Sequence, residues 1–395
     1  MGTLRNGFIK RETFILSVDV GTTSVRCHVY DKHANIRGSC SRKVLLQYPE
    51  RGWVEMDPEE LWQSFVSVVK GALKQAVDEE TCCFGTIDTW LLYKLTKGLV
   101  HATDYSNASS TAIFDSYQMA DQQAAMFGEC CFDTGDVKIT MGTGTFMDIN
   151  TGNKPHTSVA GLYPLVGWKI GSDVVYLAEG NAADTGTAIR WAQEINLFTD
   201  VKETSTMANS VSDSDGVCFV PSFSGLQAPL NDPKACAAFM GLKPSTTKSH
   251  LVRAILESIA FRNKQLFDVM RRETRIPITK IRADGGVCLN DFIMQLSADL
   301  LSHKISRPAH FDMSCLGAAF VAGLGVGFWK SKEELKKLQV TERLFIPQCV
   351  KRDAGGRRGE VDCVYKPVLQ SWEQALQRSM HCCYDDDEEE EDDKE

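Results

Sequence analysis

The chain has 395 residues, 43% of them hydrophobic and 24% charged, which is ordinary globular composition and enough length for two domains with separate cores. A balance of 43 Lys and Arg against 52 Asp and Glu gives −9, and residues 385–395, with ten acidic side chains and one Lys, account for −9 by themselves. The neutral remainder argues against the basic face that nucleic acid or an anionic membrane surface would require.

Residues 1–13 carry charge but no apolar stretch, so no secretory leader is expected, and Asn6 departs from the myristoylation pattern. The longest low-polarity run, 318–329, is too short to span a bilayer and is interrupted by Gly323, Gly325 and Gly327, so no integral membrane contact is expected. A cytoplasmic location with reduced thiols is the expectation for the 14 cysteines, whose adjacent pairs Cys82/Cys83, Cys130/Cys131 and Cys382/Cys383 lack the Cys-x-x-Cys spacing of zinc or redox sites.

In chain order, Phe14 to Tyr30 reads as strand, Gly-Thr-Thr-Ser turn and strand, with Asp19 at the entrance to the turn. A helix follows from Asp57, which can cap it, with Pro58 in the first turn and an apolar face of Leu61, Phe65, Val68, Ala72 and Ala76. Asp121 precedes an apolar helical stretch. From Gly135 a second hairpin encloses Gly142-Thr-Gly-Thr145 and looks like a repeat of the first. A third turn, Asp284-Gly-Gly286, joins the β-prone run 278–283 to a helix over 292–301. Residues 354–359 read as an exposed loop, 368–380 as a short helix, and the acidic residues 385–395 as a solvated, disordered tail. Strands alternating with helices predict an α/β fold.

Several common chemistries lack a signal. There is no Gly-x-x-x-x-Gly-Lys-Ser/Thr, Gly-x-Gly-x-x-Gly, His-Glu-x-x-His or Gly-x-Ser-x-Gly. What remains is three Gly/Thr turns, whose main-chain amides can cradle an anion without any lysine, while Thr22, Thr23, Ser24, Thr143 and Thr145 offer hydroxyl donors. Such turns also serve hairpins for purely structural reasons; three in one chain favour a polyphosphate. Phosphoryl transfer further needs a carboxylate to take the acceptor's proton and a cation to offset phosphate charge. Asp121 is the candidate base, with a helix N-cap as the competing role, and Asp19 is the candidate anchor for hydrated Mg²⁺, with turn initiation as its competing role.

The motifs Asp19-Val-Gly-Thr-Thr-Ser-Val-Arg26, Gly52-Trp-Val-Glu-Met-Asp-Pro58, Phe84-Gly-Thr-Ile-Asp-Thr-Trp90, Asp121-Gln-Gln123, Gly142-Thr-Gly-Thr145, Gly225-Leu-Gln-Ala-Pro-Leu-Asn-Asp-Pro233, Asp284-Gly-Gly286 and Leu316-Gly-Ala-Ala319 together resemble the FGGY carbohydrate kinases, and within them the glycerol kinases of the actin/hexokinase/Hsp70 ATPase superfamily. The resemblance implies two ribonuclease-H-like domains closing over ATP, here 12–131 on the polyol side and 132–380 on the nucleotide side. It implies that Thr22, Thr23, Ser24, Arg26, Thr143, Gly186, Gly286 and Asn290 meet the nucleotide. Asp121 would be the general base and Gln122 its substrate-binding neighbour. ATP, Mg²⁺ and a small polyol are the implied ligands; a homo-oligomer is compatible with it.

The chain departs from that pattern in its first domain. Between Val77 and Cys82 nothing matches the family's Arg-Glu polyol contacts, a second interval is short near Met119–Ala120, and Cys236-Ala237 replaces the usual Arg-Gly. The first domain is therefore expected to be truncated. The expected activity is phosphorylation of glycerol or of another polyol or sugar; a nucleotide-binding or regulatory protein with impaired turnover is the alternative.

Overall fold

The computed structural model describes residues 13–21, 24–47, 49, 55–76, 84–85, 121–310, 312–348 and 365–380. The chain divides into two compact units, Met1–Cys130 with Met313–Gln339, and Cys131–Asp312 with Val340–Glu395. A single division near residue 131 would leave 313–339 with the second unit; that segment packs instead with the first.

In the first unit β1 (Ile15–Val20), β2 (Ser24–Tyr30) and β3 (Ile36–Lys43) form an antiparallel meander. β4 (Phe84–Gly85) lies parallel to β1, giving the order β3-β2-β1-β4. Alternation along β1 and β2 sends Leu16, Val18, Val25, Cys27 and Val29 to one face. Against it lies α1 (Pro58–Ala76), whose Leu61, Phe65, Val68, Val69 and Ala72 close the core. The expected apolar stripe is therefore present, with Ala76 only partly buried at its end.

Asp57 caps α1 as the sequence predicts: its Oδ1 accepts from the amides of Glu59 at 2.8 Å and Glu60 at 3.3 Å. An Asp57→Ala variant is expected to lose about 1 kcal/mol of stability, read as a lower urea midpoint at unchanged slope, and Asp57→Asn to recover most of it. A short helix α2 (Asp121–Gly128) completes the first stretch of this unit.

The second unit is built on β5 (Asp136–Met141), β6 (Thr145–Gly152), β7 (Tyr163–Ile170) and β8 (Asp173–Ala182). The chain continues through α3 (Gly186–Glu194), α4 (Glu203–Asn209), β9 (Cys218–Val220), β10 (Ala238–Met240) and the long α5 (Lys248–Thr274). After these come β11 (Lys280–Asp284), a 3₁₀ turn at Gly286–Leu289, α6 (Asp291–Leu301) and β12 (Ile305–Pro308). Two helices, α7 (Met313–Gly325) and α8 (Lys332–Leu338), then join the first unit, and β13 (Thr341–Phe345) and α9 (Lys366–Ser379) finish the second. The last helix starts two residues before the sequence suggests, with Pro367 in its first turn, where a missing amide costs nothing.

The main sheet runs β13-β12-β11-β5-β6-β8-β7. β5, β11 and β12 are parallel, whereas β6, β8 and β7 continue antiparallel from β5. The repeat expected from the sequence is visible in the connectivity, since the opening strand of each unit is flanked by its hairpin partner and by a later parallel strand. Val137, Ile139, Met141, Met147 and Ile149 share the core with Ile259, Leu266 and Phe267 of α5 and Phe292 of α6.

In the first unit α7 lies antiparallel against α2, backbone to backbone. A Cβ on Gly317 would stand 1.6 Å from the Ala124 carbonyl oxygen, and one on Gly128 2.3 Å from that of Met313. Trp329, 1% exposed, anchors the segment by donating from Nε1 to the Lys32 carbonyl at 2.9 Å. Ser331 caps α8, accepting from the Glu334 amide.

Candidate functional site

In the first unit the β1–β2 turn is closed by a bond from the Gly21 amide to the Ser24 carbonyl at 2.9 Å. Asp19 and Arg26 are opposite one another in the hairpin register, so Asp19, Ser24 and Arg26 stand at one end of it. Thr22 and Thr23 lie outside the described residues. Asp19 is half-buried, and its Oδ2 accepts from the Ser314 hydroxyl at 3.0 Å, which orients the carboxylate from the start of α7. Asp121 is the first residue of α2, with Gln122 next to it, at the end of that helix remote from the Met313 contact.

Among the described residues no three His, Cys, Asp or Glu side chains group as a metal cage. A hydrated Mg²⁺ needs no cage, because one or two carboxylates and phosphate oxygens suffice, so a single oriented carboxylate such as Asp19 fits that ion.

The second unit assembles its turns along the edge formed by the C-terminal ends of β5, β8 and β11, across the middle of the sheet rather than beside an outermost strand. Asp284 pairs with Thr140 in the parallel β5–β11 ladder, so Gly142–Gly144 and Gly285–Gly286 leave adjacent strands side by side. β8 runs parallel to β5 through two antiparallel steps and delivers the start of α3 to the same edge. There the Gly186 amide donates to the carbonyls of Gly142 at 3.1 Å and Thr143 at 2.7 Å. A Cβ on Gly186 would meet the Gly142 oxygen at 2.4 Å, and one on Gly285, whose φ is +87°, the Met141 oxygen at 2.5 Å. These two glycines press the segments together. Gly142 and Gly286 have nothing within 4 Å of the same position, so they offer open main chain beside exposed Thr143. A glycine-lined edge of this kind lets a phosphate or ribose approach the backbone.

Thr145 and Asn290 both have structural partners. Thr145 is buried, its hydroxyl bonded to that of Thr185 at 2.7 Å, so it serves the hairpin rather than a ligand. Asn290 caps α6, accepting from Phe292 and Ile293 amides and donating to Thr204 Oγ1 at 2.9 Å. It fixes the turn that begins at Gly286.

Beneath this edge lies a charged group that the sequence does not announce. Lys138 Nζ sits 3.0 Å from Asp148 Oδ2 with both side chains 0% exposed. Thr140 donates to Asp284 Oδ1 at 2.5 Å. Burial pushes the Asp284 carboxyl up to about 6, against the pull of Lys138 and the Thr140 bond. Further out, burial raises Asp184 despite two bonds from Ser224, and lowers Arg262 to about 10 despite Asp184.

Sequence models of the FGGY family of carbohydrate kinases match this chain in two parts, the N-terminal domain over residues 14–82 and the C-terminal domain over 137–326. The chain belongs to that family. Its fold is accordingly the two-domain ribonuclease-H-like α/β architecture of the FGGY kinases, and it is a carbohydrate kinase. Glycerol kinase 5 of Danio rerio is 58% identical over 529 aligned positions, covering 96% of this chain and 99% of that one. Glycerol kinase 5 of Homo sapiens is 46% identical, covering 93% and 96%. Because 529 positions exceed the 395 residues here, the Danio rerio protein carries stretches with no counterpart in this FGGY kinase. The crystal structure of Plasmodium falciparum glycerol kinase with ADP superposes with a TM-score of 0.76 at 24% identity, covering 93% and 98%, a likeness of fold. Among the described residues no helix is long and apolar enough to cross a membrane.

A substitution at the edge should separate backbone contact from ligand contact. Gly186→Ala forces a methyl onto the Gly142 carbonyl and is expected to weaken nucleotide binding on the order of 10-fold by displacing the Thr143 turn. Gly142→Ala, with open space at its Cβ, is expected to fold as the parent does. Calorimetric titration with MgATP and thermal unfolding of both variants check the pair.

Proposed function

We propose that this FGGY kinase transfers the γ-phosphoryl group of ATP to a hydroxyl of a small polyol, glycerol first, yielding ADP and glycerol 3-phosphate. The observation that carries the reading is the convergence of the Gly142–Gly144 turn, the Gly186 helix start and the Gly285–Gly286 turn on one edge of the second unit's sheet. Thr143, Gly186, Gly286 and Asn290 meet the nucleotide there, and Asn290 also caps the helix that follows the last turn. In the first unit Thr22, Thr23, Ser24 and Arg26 take the phosphates. Asp121 accepts the proton of the attacking hydroxyl, and Gln122 orients the polyol. Asp19 would hold Mg²⁺, which when bound offsets phosphate charge.

The names of the relatives support glycerol over other acceptors. The test is a coupled assay for ADP release with glycerol and a panel of sugars. Turnover with glycerol supports the reading; turnover with a different polyol or ketose moves the acceptor and keeps the chemistry.

A second reading keeps the nucleotide and loses turnover. It is favoured by the stretches absent relative to the Danio rerio protein and by the N-terminal family match ending at residue 82. MgATP binding by calorimetry with no phosphorylated product from any polyol would establish it.

A further inference from the structure

We propose that Lys138 is a positioning residue for the nucleotide: with Asp148, Thr140 and Asp284 it sets the spacing of the 142–144 and 284–286 turns. The inference rests on the reading that those turns hold the nucleotide, and deepens it.

The geometry is a row across the sheet. Lys138 is opposite Asp148 on β6 and opposite Arg282 on β11, and Asp148 is in turn opposite Glu179 on β8. One pleat further along, Thr140 is opposite Asp284. Thr140 is two residues before Gly142, and Asp284 directly precedes Gly285, whose backbone is pressed on Met141. A change in this row therefore acts on both turns within one or two residues.

A buried ion pair is weak evidence of a stabilising role. Removing two ions from water costs several kcal/mol each, and well-packed apolar side chains of similar volume commonly do as well or better. The same strands show the apolar solution on their other face, where Val137, Ile139, Met147 and Ile149 are 0–1% exposed. Burial alone would push the Lys138 ammonium down, but Asp148, Asp284 and Glu179 outweigh it and hold the group charged, above its ordinary range. Lys138 is thus a cation on β5 flanked by buried carboxylates on β6 and β11, with Arg282 beside it in the row. Without it Asp148 and Asp284 repel, Asp284 takes up a proton, and the Thr140–Asp284 bond that ties β5 to β11 is altered.

Lys138→Met alone strands two carboxylates and is expected to unfold readily, so the deciding variant is K138M/D148L, which removes the pair at similar volume and leaves Asp284, already raised to about 6 by burial, to be carried neutral by a proton. Thr140→Val and Thr140→Ser accompany it. Calorimetric Kd values for MgATP and MgADP are measured well below the unfolding midpoint of each protein. Expected is a K138M/D148L protein that unfolds within a few degrees of the parent yet binds MgATP on the order of 10-fold more weakly. T140V should be weakened several-fold and T140S restored. Parent-like Kd values in K138M/D148L and T140V overturn the inference, and so does a double variant that unfolds far below the parent, because stability then explains the pair. A parent protein that binds no MgATP removes the nucleotide reading itself, and the inference falls with it.

Discussion

Replacing Asp121 by Asn is expected to lower phosphoryl transfer about 100- to 10,000-fold while leaving the Kd for MgATP near the parent value. Asn keeps the size and hydrogen-bonding capacity of the side chain but cannot accept the proton of an attacking hydroxyl. Asn remains a residue tolerated at a helix start, and the unfolding midpoint reports any fraying of α2 that follows from the lost charge. Asp121 opens that helix, which is only eight residues long. Rates are read at saturating ATP across a range of acceptor concentrations, with the unfolding midpoint as a control. An unchanged rate would remove Asp121 as the base and leave it the structural role of an acidic residue at a helix start.

The second large effect concerns stability and reaches Asp121 through the backbone. Gly317→Ala gains about 1 kcal/mol of helix propensity in an isolated helix. Here the added methyl would lie 1.6 Å from the Ala124 carbonyl oxygen, inside any tolerable contact, so α7 must move off α2. Overpacking of this kind costs on the order of 3 kcal/mol, which outweighs the propensity gain. The expected result is a lower urea midpoint and, because α2 carries Asp121, a loss of turnover larger than the loss of nucleotide affinity. Gly325→Ala, in the same helix with nothing within 4 Å of its Cβ position, is the control and should be neutral or slightly stabilising. Equal behaviour of the two variants would mean that the α2–α7 contact does not hold the first unit's site.

Local features of both units were legible because each has a short-range cause. The Asp57 cap, the apolar stripe of α1 and the two opening hairpins depend on neighbours within a few residues, and they form as the spacing predicts. The Gly/Thr turns were legible for the same reason, although not which glycines serve the fold and which face outwards. Gly186 and Gly285 are pressed on backbone from elsewhere in the chain, while Gly142 and Gly286 are open. Thr143 and Thr145 look alike in sequence; the first stands exposed in the turn, and the second opens β6 and is buried against Thr185.

The polar row under the turns shows the limit more sharply. Along β5 the alternation of Val137, Ile139 and Met141 with Lys138 and Thr140 reads as a strand with a core face and a wet face. Period-two patterning tells which side chains share a face and nothing about what covers it, so the burial of Lys138 and Asp148 has no signal of its own.

The sequence by itself determined the family, the two opening hairpins, the capped helix and the kinds of residue available for phosphoryl transfer, since these follow from local chemistry and ordered motifs. Tertiary structure alone decided that 313–339 joins the first unit and that Lys138, Asp148, Thr140 and Asp284 meet beneath the second unit's turns. Both depend on contacts between residues far apart in the chain, and such contacts are selected by the closing of a whole core rather than by any neighbour's preference.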